Sequence, residues 1–237
     1  MSIPVIIINR NLLTWPRQMV EWFHKIEGLR VVIIDNDSTY EPLLEWYKTG
    51  SCEVIFHKSN GGPYVAWTGY VDALVRESGQ KFYAITDSDL DFSNVPLDLF
   101  DKIKELYESL HSVKVVKIGT SLETNDLPDN EYTQDVKQWE SRFWNNPMAS
   151  YDGKTLCVPI YQKPIDTTFA VYHYGRGNRR NSNFRMDRPY TVRHLPWYED
   201  INSCSEEYKY YIKNANFYSI WGNKFRSQIE KRAENKQ

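Results

Sequence analysis

Through residues 1–120 the chain alternates short, β-branched apolar runs with stretches that carry apolar residues at helical spacing. That alternation constrains the fold more than any other feature. Val5-Ile6-Ile7-Ile8, Val31-Val32-Ile33-Ile34, Val54-Ile55-Phe56, Phe82 to Thr86 and Val113 to Ile118 read as buried strands. Between the first two, Thr14-Trp15-Pro16 opens a helix, with Thr14 as its cap and Pro16 in its first turn. Met19, Trp22, Phe23 and Ile26 share one face of it, and Gly28 ends it. Pro42 to Tyr47 is a second helix closed by Gly50, Gly61-Gly62-Pro63 opens a third running to about Glu77, and Pro96–Leu110 is a fourth. Strands alternating with helices imply an α/β fold: a Rossmann-like, mostly parallel sheet flanked by helices.

In such sheets ligands bind beyond the carboxyl ends of the strands. The polar residues there are Asn9 and Arg10, Asp35 to Asp37, Asn60 and Gly61, and Asp87 to Asp91. The triplet Asp87-Ser88-Asp89 is the most chemically suggestive of them. Two carboxylates one residue apart at a strand end can hold a divalent cation and a ribose together, since hard cations take oxygen ligands. As an isolated pattern it is also common in solvated turns.

The second half loses the simple alternation. Asn125–Asn130 is turn-like, and Trp139, Phe143 and Trp144 suggest an aromatic helix or loop. Ile165 to Tyr172 reads as a strand with Asp166 near its start, and Gly175 to Asn183 as a loop. Tyr190-Thr191-Val192-Arg193 reads as a short strand leading into His194, and Glu206 to Asn214 as a helix. The tail from Lys224 is charged and helix-prone. The chain shows no internal repeat, so a single domain over 1–237 is expected, either whole or part of a longer multi-domain chain.

A formal charge of −2 argues against a general nucleic-acid binder. Aromatic residues, at 15%, supply flat faces that pack on sugar C–H groups as readily as they fill a core. Cys52, Cys157 and Cys204 lack metal-site spacing and suggest a reducing compartment. No basic leader and no apolar run of about 18 residues is visible, so a soluble, cytoplasmic protein without a transmembrane span is expected.

Taken together, Ile7-Ile8-Asn9-Arg10, Ile34-Asp35-Asn36-Asp37-Ser38, Asn60-Gly61-Gly62-Pro63 and Asp87-Ser88-Asp89 resemble, in order and spacing, the nucleotide-sugar glycosyltransferases of the GT-A fold, close to the family 2-type group. Ile165-Asp166-Thr167-Thr168-Phe169 and His194-Leu195-Pro196-Trp197-Tyr198 look like a capsule or viral-type subgroup of these enzymes. The resemblance implies a nucleotide-binding half (1–120), an acceptor-side half (121–237), and transfer of a sugar from a nucleoside diphosphate to a hydroxyl of a glycan or glycoconjugate. It implies that Asn9 and Arg10 touch the nucleotide and that Asp35 accepts from the base, which suits uracil and a UDP-sugar. Asn60 and Gly61 offer backbone amides to the ligand, and Asp87 and Ser88 meet the ribose. Asp89 and His194 would hold Mn²⁺ or Mg²⁺. In an inverting reaction Asp166 or Asp200 is the general base, with Asp166 preferred and Glu199 a further candidate. Trp139, Trp144, Trp197 and Tyr198 are acceptor-platform candidates. Arg176, Arg179, Arg180, Arg185 and Arg188 form either a solvated basic loop or a lid over the diphosphate.

Each motif also has a plain structural account. Asp35 to Ser38 can be an Asx turn, Asn60-Gly61-Gly62 a helix-initiating turn, and His194 a structural histidine. Three other functions compete. A sugar-phosphate nucleotidyltransferase wants a glycine-rich loop after the first strand, where Asn9-Arg10-Asn11-Leu12 stands. A haloacid-dehalogenase phosphatase places its Asp-x-Asp after the first strand. A non-catalytic carbohydrate- or nucleotide-binding module of the same fold would carry the aromatic residues without turnover.

Overall fold

The computed structural model describes residues 2–110, 114–151, 154–176, 183–200 and 203–215. The first half builds β1 (Ile3–Asn9), α1 (Thr14–Phe23), β2 (Leu29–Asn36), α2 (Glu41–Lys48) and β3 (Glu53–His57). A 3-10 segment (Gly62–Trp67), α3 (Tyr70–Ser78), β4 (Phe82–Asp87), β5 (Leu90–Asp91) and α4 (Leu99–Ser109) follow. The second half builds β6 (Lys117–Leu122), α5 (Glu131–Ser141), β7 (Met148–Tyr151), β8 (Lys154–Tyr161), β9 (Ala170–His173), β10 (Asn183–His194) and α6 (Glu206–Asn214).

The described strands form one sheet in the order β3-β2-β1-β4-β9-β6-β10-β8-β7, with β5 on the end of β10. The first four run parallel. β9 is antiparallel to both β4 and β6, while β10 runs parallel to β6. The architecture is mixed α/β, a curled sheet flanked by helices, with one parallel half and one mixed half.

All seven residues of β1 are buried because both faces of this strand are covered. Its side chains alternate between two cores. Val5 and Ile7 join Ile33, Phe23 and Phe92 on one face; Ile6 and Ile8 join Val32, Ile34, Val65 and Leu74 on the other. A polar substitution at any of these positions would face apolar neighbours on whichever side it pointed.

Several elements depart from their sequence-based boundaries. The third helix is split: the 3-10 segment stops at Trp67 and α3 starts at Tyr70, because Gly69 adopts φ +119. The strand expected over Val113–Ile118 lies at Lys117–Leu122, with 113 itself outside the described residues. Regular pairing in the Ile165–Tyr172 run begins only at Ala170. Thr14 is the first residue of α1 rather than its cap, a function supplied from α6. The loop residues 177–182, including Arg179 and Arg180, and the tail from Lys224 lie outside the described residues. Arg185 and Arg188 belong to β10 instead of a basic loop. Arg185 is 4% exposed and pairs with the equally buried Glu140, while Arg188 makes a two-pronged contact with Glu123.

Candidate active site

Asp87 ends β4, at the carboxyl edge of the parallel half. The chain turns through Ser88 and Asp89 into β5, whose two residues pair with the end of β10: Leu90 opposite His194 and Asp91 opposite Arg193. The Leu195 amide then donates to the Asp89 carbonyl at 2.9 Å. This local pairing brings two distant parts of the sequence together, and it places His194 Nε2 3.4 Å from an Asp89 carboxylate oxygen. Arg193, on the neighbouring position of β10, ties the pairing down through Asp91 and Asp126.

Two polar atoms in this pair have no partner. Asp89 Oδ1 and His194 Nδ1 are buried and make no hydrogen bond among the described residues. A buried acceptor left unpaired costs about 1–3 kcal/mol. The side chains of Asp89 and His194 are 16% and 20% exposed, respectively, open enough to be reached. Burial works against a charged imidazole, but Asp89, Asp87 and Glu140 outweigh it and hold His194 above the ordinary histidine range.

Asp87 is held from the other side. The Thr167 hydroxyl donates to Asp87 Oδ2 at 2.7 Å, and the Asp87 amide donates to the Thr167 carbonyl at 3.2 Å. Burial raises the Asp87 pKa, the Asp89 charge raises it further, and the Thr167 hydroxyl only partly offsets them. Asp166 adds a smaller rise in the same direction. Asp166 itself is exposed.

The ends of β1 and β2 are organised chiefly by their own side chains. Asn9 is fully buried and donates to the Leu12 carbonyl and to the Tyr47 hydroxyl. Tyr47 in turn donates to Asp35 Oδ2 at 3.0 Å, while Asp35 Oδ1 accepts from the Ser38 amide. Asp35, at 2% exposure, thus has one partner on each oxygen. Asn36 is the bridge to the next strand end. Its side chain accepts from the Gly61 amide at 2.8 Å and donates to Asn60 Oδ1 and the Gly62 carbonyl. Asn60 and Gly61 are therefore fixed against β2. Asn11 and Asp37, both left-handed non-glycine residues, turn the chain after β1 and β2.

α6 lies across these turns. Glu207 accepts from the Leu13 and Thr14 amides and from the Thr14 hydroxyl, and the Arg10 guanidinium donates to the Asn214 carbonyl. Burial raises the Tyr211 hydroxyl of α6, the charges of Asp89 and Asp87 raise it further, and Arg10 opposes them. Asp200 accepts from the Ser203 hydroxyl at 3.4 Å, and Glu199 is raised by burial and by Glu207. The structure thus joins Asp89 to His194 beside Asp87, with Asp166 next in sequence to the Thr167 that bonds Asp87. Asn9, Arg10, Asp35, Asn60 and Gly61 lie along the neighbouring strand ends. Among the platform candidates, Trp197 is buried against His194 at a ring separation of 4.7 Å, and Tyr198 bonds Asp126. Trp139 is exposed under the Arg142 guanidinium, and Trp144 packs on Tyr161.

Neither a protein-family model nor a curated protein matches the sequence. In shape the chain is similar to S. aureus TarS. One TarS structure aligns over 98% of this chain at 11% identity with a TM-score of 0.45, and this chain spans 43% of its length. A structure of TarS 1–349 aligns over 97% of this chain and 70% of its own, at 11% identity and a TM-score of 0.46. A third, TarS 1–349 in complex with UDP, aligns over 98% of this chain and 71% of its own, at 11% identity and a TM-score of 0.45.

Four residues of the site were not assigned a role from the sequence: Thr167, Tyr47, Asn36 and Tyr211. Thr167 was within reach, since it follows Asp166 in a motif already singled out. The others depend on which helix packs over which strand end, and no local pattern announces that.

Proposed function

We propose that this chain is a metal-dependent glycosyltransferase that moves a sugar from a nucleoside-diphosphate donor, a UDP-sugar foremost, to a hydroxyl of a glycan or glycoconjugate. The observation that carries this reading is the pairing of Asp89 with His194 beside Asp87 at the carboxyl edge of the parallel strands, with Asp89 Oδ1 and His194 Nδ1 left unpartnered. A carboxylate and an imidazole suit Mn²⁺ or Mg²⁺, and a cation shared by the two would lie between the Asp89 carboxylate and His194 Nε2, which already face each other. Among the described residues no group of three His, Cys, Asp or Glu side chains is placed to hold a metal, so Asp89 and His194 would share the ion with donor phosphates and water. When bound, such an ion stabilises negative charge on the leaving diphosphate.

The protein's own groups account for the rest. Asp87, whose Oδ2 accepts from the Thr167 hydroxyl, would accept a hydrogen bond from the donor ribose. The Asn36–Asn60–Gly61 clamp and Arg10 define the wall along which the nucleotide lies. Asp166 is the base in an inverting displacement. Its carboxylate takes the acceptor hydroxyl proton while that oxygen bonds to the anomeric carbon and the bond to the diphosphate oxygen breaks. Asp166 is favoured over Asp200 because it adjoins Thr167, which bonds Asp87, whereas the Asp200 carboxylate bonds Ser203 beyond Trp197.

The test is Mn²⁺-dependent release of nucleoside diphosphate across a panel of nucleotide sugars, with Asp89→Ala as control. Release from one donor, abolished by the substitution, is expected. Silence across the panel, with no metal-dependent nucleotide binding, would sink the proposal in favour of a binding module.

A further inference from the structure

Residues 162–166, which carry Asp166 between β8 and β9, have no regular secondary structure. Such a segment is normally mobile, yet here four successive carbonyls are each held. Pro164 O accepts from Arg185 Nε at 2.7 Å. Ile165 O accepts from Lys117 Nζ at 2.7 Å, and Asp166 O from the same ammonium at 3.3 Å. Thr167 O accepts from the Asp87 amide at 3.2 Å. Lys117 also bonds the Tyr172 hydroxyl at 3.3 Å and lies over that ring.

Lys117 is 0% exposed in β6, and Arg185 is 4% exposed in β10. Taking an ammonium out of water costs several kcal/mol unless its donors are all engaged. Packing alone would place an apolar residue at such a point in the sheet. Beside the Tyr172 hydroxyl, the Lys117 ammonium engages backbone oxygens of the segment that presents both Asp166 and the Thr167 partner of Asp87. We infer that Lys117 is a positioning residue for the transfer reaction, holding the Asp166 backbone so that its exposed carboxylate stands at a set place relative to Asp87 and Asp89. This rests on the function proposed above, and on Asp166 as its base. Displacement of a reacting group by about 1 Å costs on the order of 10²-fold in rate, so a tether of this kind acts on turnover with little effect on donor binding.

The experiment compares wild type, Lys117→Met, Asp166→Asn and the double variant. It measures kcat and donor KM with the active nucleotide sugar, and amide hydrogen exchange of the peptide spanning 162–169. Lys117→Met is expected to lower kcat on the order of 10²-fold while donor KM stays within about threefold. Exchange should rise in 162–169 and stay unchanged in β1 and β2. The double variant should turn over no more slowly than Asp166→Asn alone, because both changes disable one unit. Unchanged kcat, unchanged exchange, or losses that multiply in the double variant would each overturn the inference. Should Lys117→Met not fold, Lys117→Gln carries the same criteria. If wild type turns over no donor, the proposed function fails. The exchange measurement then still decides whether Lys117 tethers the segment.

Discussion

A methyl group on Gly119 would sit 2.2 Å from the Phe169 carbonyl oxygen and 3.0 Å from Ala170 Cα. Gly119 pairs with Ala170 across β6 and β9, and both backbones are locked in the sheet, so neither can yield cheaply. Gly119→Ala is therefore expected to destabilise the protein by about 3 kcal/mol or more, the upper end of overpacking costs. Urea unfolding should show a lower midpoint at an unchanged slope. A midpoint within error of wild type would mean that β6 and β9 do not approach this closely.

The first turn of α1 has no cap of its own, and Glu207 provides one from α6. Its two oxygens accept the Leu13 and Thr14 amides and the Thr14 hydroxyl. Glu207→Ala is expected to cost about 1–2 kcal/mol, in line with loss of an ordinary helix cap. Glu207→Gln, which keeps one acceptor oxygen, should lose less. Thermal unfolding of both variants checks this, and equal melting temperatures for wild type and Glu207→Ala would contradict it.

The contrast between Thr14 and Glu207 shows where the sequence stops being informative. Strand and helix order in the first half follows from local signals: β-branched runs, a 3.6-residue repeat and glycine stops. The α6 boundaries, Glu206–Asn214, coincide with those expected from the sequence. Asp89 and His194 are each singled out from the sequence as candidate metal ligands. What no local pattern contained was the β5–β10 pairing that joins them, a bridge of only two residues on one side. Arg185 and Lys117 illustrate the same limit. The first reads as part of a basic loop and the second as one polar residue in a strand, yet both are buried and serve the segment around Asp166. Burial of a cation depends on partners distant in sequence, which periodicity does not encode.

Acid should loosen the contact between the end of β6 and β10, which Glu123 and Arg188 bridge. Burial raises the Glu123 carboxyl, but the Arg188 guanidinium and the Asn125 and Thr124 amides outweigh it, and the net shift is downward. A carboxylate whose pKa is lower folded than unfolded adds stability above the unfolded value and loses it as pH falls through the folded one. Glu123→Gln should therefore be less stable than wild type at neutral pH, by about 1 kcal/mol given the partly exposed Arg188. The difference should shrink to nothing as pH drops through and below the ordinary carboxylate range. Denaturant unfolding at a series of pH values measures it, and a difference independent of pH would refute the assignment.

On the proposed function, with Asp89 and His194 as the protein's ligands, the cation and the donor diphosphate should each depend on the other for tight binding. Linkage requires the dependence to be reciprocal: the factor by which Mn²⁺ tightens UDP equals the factor by which UDP tightens Mn²⁺. That factor is expected to be at least tenfold, or about 1.4 kcal/mol of coupling. His194→Ala removes one of two protein ligands and should bring it close to one, while metal-free UDP binding, which does not use the imidazole, stays near wild type. Calorimetry of UDP with and without Mn²⁺, paired with Mn²⁺ titrations followed by electron paramagnetic resonance, gives both sides of the cycle. Strong coupling surviving in His194→Ala would show that the imidazole is not a ligand and that its approach to Asp89 is an ordinary hydrogen-bonded contact within the fold.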